Sequence, residues 1–200
     1  MTASLVVIAL SSATFLVVTV AWLTVRAQDR DPPPHEAAPP PPEPEPVPRG
    51  PDPRGIGIGD VIDCQGARWF VIGVLHMEDG DQRWREFLLD DGAGHYTWLT
   101  VEQRGGGLEV VLWMDAPSQG MIPPQRTVLI DGVEYVPVER GTAAFRSEGS
   151  TGHADSGWID YADYRSPEGR YLSFERVRGR TPWTASYGRP LPPGSIAINP

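Results

Sequence analysis

The sequence predicts an all-β fold. It reads as duplicated small antiparallel barrel or sandwich modules that follow one N-terminal transmembrane helix and a proline-rich linker. Three observations carry this reading. From Gly55 onward, short runs rich in Val, Ile, Leu, Trp, Tyr and Phe alternate with clusters of Gly, Pro and Asp, the pattern of strands and turns. The run Arg68 to Leu75 is apolar on both faces, with Trp69, Val71 and Leu75 pointing one way and Phe70, Ile72 and Val74 the other. A strand buried on both sides needs a second layer, hence a barrel or a sandwich. Finally, the second half of the chain repeats landmarks of the first.

The N-terminal elements come first. Leu5 to Val25 carries no charge, and about 20 apolar residues suffice to cross the bilayer core as a helix. A cleaved signal peptide would show a basic start and a shorter apolar stretch, so residues 1–27 read as a permanent single-pass anchor. Arg26 and Arg30 follow the segment and no basic residue precedes it, which places the C-terminal part in the cytoplasm. Residues 28–54 form the linker, and Asp29 to Gly55 holds 12 of the 22 prolines. Such a segment cannot bury a core; it extends as a semi-rigid spacer of about 3.1 Å per residue.

Residues 55–200 form the soluble part. Strands are expected near Asp60–Cys64, Ala67–Met77, Trp84–Leu89, Tyr96–Val101, Leu108–Met114, Thr127–Ile130, Val133–Val138, Ala143–Ser147, Gly157–Tyr164, Arg170–Arg176 and Thr181–Tyr187. Turns such as Cys64-Gln65-Gly66-Ala67 and Ile130-Asp131-Gly132-Val133 are of the kind that close hairpins. Gly66 and Trp69 correspond to Gly132 and Tyr135. Trp84, Glu86 and Phe87 correspond to Trp158, Asp160 and Tyr161. Trp98, Leu99, Thr100 and Glu102 correspond to Tyr171, Leu172, Ser173 and Glu175. The offsets of 66, 74 and 73 residues are nearly equal, which reads as an internal duplication with halves of about 57–115 and 126–188.

The residue inventory excludes several chemistries. All 17 basic residues are arginine, so no lysine is present for a phosphate loop, a Schiff base or a kinase-type nucleotide contact. One cysteine, Cys64, excludes zinc sites built on several thiolates and any intrachain disulfide. The histidines lack metal-ligand spacing, and no cofactor or metal is expected. From Gly55 on, 20 acidic residues face 13 arginines, a net charge of −7, which argues against nucleic acid as a partner. Gly55 to Asp60 lacks the strand-to-helix setting of a dinucleotide loop. Ser150, His153, Asp155 and Ser156 share one glycine-rich loop with no nucleophile elbow and read as a polar turn.

Taken in order, G-x-x-W-x-V (Gly66 to Val71), W-x-E-F-x-L (Trp84 to Leu89), W-L-x-V-E (Trp98 to Glu102), G-x-x-Y (Gly132 to Tyr135), W-x-D-Y (Trp158 to Tyr161) and Y-L-S-x-E-R (Tyr171 to Arg176) give a recognisable pattern. It resembles a bacterial domain-of-unknown-function family, the one numbered 4178, over nearly all of Gly57 to Gly188. In actinobacterial members an N-terminal transmembrane helix commonly precedes the domain. The resemblance implies no catalytic residues, and it hints at envelope upkeep or membrane-stress maintenance.

The expected function is a non-enzymatic interaction module on a stalk. Its candidate ligand or partner contacts are Trp84, Glu86, Trp98, Glu102, Trp158, Asp160 and Glu175. Aromatic rings flanked by carboxylates suit a cationic ligand such as a polyamine, or an arginine-rich protein partner. The alternative is a carboxylate hydrolase using Asp160 and Glu175, with or without a divalent metal. For the hairpin Trp158 to Arg176, the cost of burying a charge predicts that Asp160 and Glu175 lie outside the core or pair with arginine.

Overall fold

The computed structural model describes residues 52–117 and 121–200. The apolar segment Leu5 to Val25 and the linker up to residue 51 lie outside the described residues. The described chain starts with a 3-10 turn, Pro53–Gly55, capped by Asp52, whose side chain accepts a bond from the Arg54 amide. All other regular structure is strand: β1 (Val61–Cys64), β2 (Ala67–Asp79), β3 (Gln82–Asp90), β4 (Tyr96–Arg104), β5 (Gly107–Asp115), β6 (Val128–Ile130), β7 (Val133–Gly149), β8 (Ser156–Arg165), β9 (Tyr171–Val177), β10 (Thr184–Pro190) and β11 (Ile196–Asn199).

The strands form one antiparallel sheet in the order β11-β1-β2-β3-β4-β5-β10-β9-β8-β7-β6, and β2 also pairs with β7. That extra pairing joins β2, β3, β4, β5, β10, β9, β8 and β7 into a closed ring of eight strands. Two five-stranded meanders, β1–β5 and β6–β10, thus share one sheet instead of standing as separate barrel or sandwich modules. Their connections recur. The hairpins β1–β2 and β6–β7 both turn on two residues of positive φ, Gln65 and Gly66 at 52° and 79°, Asp131 and Gly132 at 51° and 77°. These are the values a type I′ turn requires. Beyond each meander the chain bonds to the other one: the Ala116 amide donates to the Ala185 carbonyl, and the Leu191 amide to the Val110 carbonyl.

Two long strands make closure possible. β2 is bulged between Val71 and Gly73, and β7 between Pro137 and Glu139. An extra residue bends a strand and increases its twist. The first part of β2 pairs with β1, and Gly73–Glu78 crosses to pair with β7. Gly73 sits at this crossing because a Cβ there would come within 2.6 Å of the Ser150 carbonyl oxygen. The bulge also resets the alternation expected for Arg68 to Leu75. Val71 and Val74 share one apolar cluster, whereas Leu75 joins Met77 on the opposite face.

The sheet therefore buries side chains on both faces. Ile62, Val71, Phe87, Leu99 and Ile196 form one outer cluster under β1 and β11. Tyr135, Tyr164, Leu172 and Phe174 form the other, under β6. A third cluster, with Leu75, Met77, Phe145, Ile159 and Tyr161, lies inside the ring. Two expected strands, Val133–Val138 and Ala143–Ser147, are one continuous β7, and β11 falls where no strand was expected.

Candidate functional site: an acidic barrel lumen

Alternation along a strand sends every second side chain into the ring. From β3 these are Trp84 and Glu86; from β4, Trp98, Thr100 and Glu102; from β5, Glu109, Val111 and Trp113. The facing half supplies Glu139 from β7, Tyr161 and Asp163 from β8, and Tyr171, Ser173 and Glu175 from β9. Together they enclose a cavity of about 50 Å³. A second, of about 30 Å³, adjoins it and shares Glu86, Thr100, Trp113, Ser173 and Glu175. Spaces of this size hold a few waters or one small cationic group.

Six carboxyl groups line the larger cavity, and the one guanidinium among its walls is Arg104. Arg104 sits at the mouth, with its side chain 36% exposed. There it lies 3.0 Å from Glu102, 3.2 Å from Glu139 and 3.8 Å from Glu109. Deeper in, neutral donors replace cations. The Trp84 indole Nε1 donates to Glu86 at 2.7 Å, and the Ser173 hydroxyl donates to Asp163 at 2.6 Å. The Tyr161 hydroxyl bonds to Asp79 at 2.9 Å and to Glu139 at 3.3 Å. Trp113 donates to Thr100 at 2.8 Å, which fixes an aromatic wall beside the acids.

The electrostatics follow from this arrangement. Burial pushes the Glu86 carboxyl up to about 7, against the pull of the Trp84 bond and with help from the charges of Asp163 and Glu102. Burial likewise lifts Asp163 to about 6, with the Ser173 bond and Arg104 opposing. Glu175 is raised well above the usual carboxylate range by burial and by the like charges of Glu86 and Asp163. Glu102 is raised too, chiefly by burial. Three acids deep in the lumen thus repel one another with no cation between them among the described residues, and burial with this repulsion favours the protonated form.

Near the lumen, His153 makes edge contacts with Trp98 at 5.9 Å and Phe145 at 5.6 Å between centroids. Its Nδ1 lies 3.0 Å from the Thr151 carbonyl oxygen. That contact occupies the nitrogen a serine–histidine–aspartate array would turn toward its aspartate.

Of the seven candidate residues, Trp84, Glu86, Trp98, Glu102 and Glu175 meet in the lumen. Trp158 and Asp160 do not. β8 pairs Tyr161 with Glu175 and Asp160 with Arg176, so Asp160 faces outward. Burial alone would raise the Asp160 carboxyl. The Thr142 hydroxyl at 2.8 Å, with Arg176 at 2.9 Å and Arg178 at 3.4 Å, outweighs burial and holds it below the usual range. Trp158 is 55% exposed on the same outer face. The expectation that Asp160 pairs with arginine is met. The same expectation for Glu175 is corrected, since Glu175 lines the enclosed cavity and, among the described residues, no arginine lies within ion-pair distance of it.

The misplacement of Trp158 and Asp160 traces to the offset of 74 residues. Trp84-Arg85-Glu86-Phe87 matches the faces of Tyr161-Ala162-Asp163-Tyr164, an offset of 77. Phe87 and Tyr164 are then both fully buried in outer clusters, and Glu86 and Asp163 both face the lumen. The lumen residues missed from sequence are Arg104, Glu109, Glu139, Tyr161, Asp163 and Tyr171. Only Tyr161 and Asp163 carry a signal, the aromatic-x-acid spacing of Trp84-x-Glu86, and Trp158-x-Asp160 on the outer face shares it.

A closed antiparallel ring with an acidic, aromatic-walled lumen defines the class of this domain. The chain belongs to the family described as Domain of unknown function (DUF4178), whose model matches residues 57–193. An uncharacterized protein of Mycobacterium tuberculosis (strain H37Rv) is 33% identical over 153 residues, covering 74% of this chain and 73% of the relative. An uncharacterized protein of Mycobacterium bovis matches with the same identity and coverage. No solved structure matches the chain.

Proposed function

We propose that this is a membrane-anchored, non-enzymatic binding module whose lumen accepts a small organic cation, such as one ammonium end of a polyamine. One observation carries the reading: six carboxyls surround the cavity, and the single guanidinium in its wall stands at the mouth. A cation bound among Glu86, Asp163 and Glu175 would offset the charge these carboxyls gain as they ionise, and Trp84, Trp98 and Trp113 would face it as aromatic walls. The lumen is too small for a whole polyamine, so the remainder of such a ligand would extend through the mouth past Arg104.

The same reading takes the two meanders as copies of one five-stranded unit, joined so that each supplies half of the acids. Leu5 to Val25 would hold the domain at the cytoplasmic side of the cell membrane, on a proline-rich spacer, in a role of envelope maintenance. The hydrolase alternative loses its geometry, because Asp160 and Glu175 lie on opposite faces of the sheet.

Calorimetric titration of the full-length protein in neutral detergent with spermidine at pH 8 tests the proposal. Saturable binding that Glu175→Gln removes is expected. Absence of binding, or binding that Glu175→Gln leaves unchanged, would overturn it.

A further inference from the structure

We propose that the free edge of β6 is a docking site for an extended, uncharged peptide strand of a partner protein, one carrying branched apolar residues at alternate positions. The pattern for this occupant is inside the molecule. β1 and β6 are counterparts, since each enters a type I′ turn from the same side, at Gln65-Gly66 and at Asp131-Gly132. β1 is covered on its outer edge by β11, in the register Ile62 to Ile198 and Asp63 to Ala197. Ile196 is buried there, and Ile198 packs against the same outer cluster. β6 stands at the end of the sheet order, and among the described residues no strand pairs with its far edge.

The backbone of β6 is oriented to receive a strand. Ile130 and Val133 flank a two-residue turn and face each other, so they exchange hydrogen bonds. The next pair, Leu129 and Glu134, then turns its peptide groups away. The Leu129 N–H and carbonyl thus point off the sheet, as those of its counterpart Asp63 point toward Ala197. Unpaired peptide groups of this kind are the template for strand addition.

Beside this edge runs an open groove of about 710 Å³ whose walls include Met114, Ile130, Val133, Tyr135 and Tyr187. Tyr135 and Tyr187 stack at 6.4 Å between centroids and give the groove a flat aromatic side. The outer cluster under β1 takes in Leu191 and Ile196, whereas Ala116 and Met121 are only partly buried against the cluster under β6. The charged residues at the groove balance, Asp131 and Glu168 against Arg170 and Arg189, which favours an uncharged occupant. Leu129 is 70% exposed on the other side of the hairpin and would gain cover from the same strand.

The probe is the chain's own covering segment, a fluorescent peptide copying residues 191–199, LPPGSIAIN. Anisotropy with the full-length protein in detergent should show saturable binding. Asp in place of both isoleucines of the peptide should weaken it about tenfold or more, and so should Leu129→Pro, which removes the outward amide. No binding at millimolar peptide would overturn the proposal. Binding that Leu129→Pro leaves unchanged would also overturn it, because the peptide would then be exchanging with β11 on β1. Hydrogen exchange on the unaltered protein supplies a reading that does not depend on the variant's folding. The Leu129 amide should exchange more slowly with peptide present, and unchanged exchange overturns the proposal.

Discussion

Replacing Glu86 with glutamine asks whether the charge in the lumen is an unrelieved cost in the ligand-free protein. In the fold this carboxyl titrates at about 7, against an ordinary value of 4.5. Between those two values the folded protein keeps a proton that the unfolded chain has released. The corresponding stability is fully present below pH 4.5 and is lost as pH rises through 7. One pKa unit corresponds to about 1.36 kcal/mol. Ionising Glu86 in place therefore costs about 3 kcal/mol at pH 8. Glutamine has the same shape and no charge, and its carbonyl oxygen can still accept the Trp84 bond. Glu86→Gln should gain about 3 kcal/mol over the parent at pH 8 and nearly nothing at pH 4.5. For a domain of this size that is a rise in melting temperature of roughly 6–12 °C. Thermal unfolding followed by tryptophan fluorescence at the two pH values measures it. A variant less stable than the parent at pH 8 would refute the reasoning, because it would show that the ionised carboxylate is held by a partner.

Phe174 is fully buried in the outer cluster under β6, so Phe174→Ala should cost about 3–5 kcal/mol in chemical denaturation. Asp160→Asn should cost clearly less, about 1 kcal/mol, since Arg176 and Arg178 are 40% and 61% exposed and return to water when released. Alkaline carbonate extraction should leave the full-length protein in the membrane pellet, and recovery of a soluble form beginning near Gln28 would end the anchor reading.

Much of the sheet is legible in the sequence because turns are local. Gln65-Gly66 and Asp131-Gly132 announce two hairpins through the residues themselves, and both adopt the positive φ such turns need. The turn from Ser166 to Gly169 likewise closes β8 on β9, with the Gly169 amide donating to the Ser166 carbonyl. Ring closure is not local. The pairing of Gly73–Glu78 with Ala144–Gly149 follows a bulge in β2, and that bulge leaves no mark in a run that is apolar on both faces. β11 escapes for a related reason. Ile196-Ala197-Ile198-Asn199 is four residues after a proline pair, too short to assert itself without β1 beside it.

The lumen shows where a period of two runs out as a guide. Alternation sorts Asp160 from Glu175 only once the pairing register is known, and it does not say which face of a doubly apolar sheet turns inward. The expectation that Glu175 stays outside rests on the cost of a buried charge. That cost applies to a carboxylate, whereas burial and two neighbouring acids raise Glu175 toward the neutral acid. A cavity of about 50 Å³ beside it leaves room for water as well. Both conditions are collective, since Glu86, Asp163 and Glu175 come from three strands and each changes what the others can afford. The aromatic-x-acid pairs are visible one at a time in the sequence, but their meaning depends on the ring that brings them together.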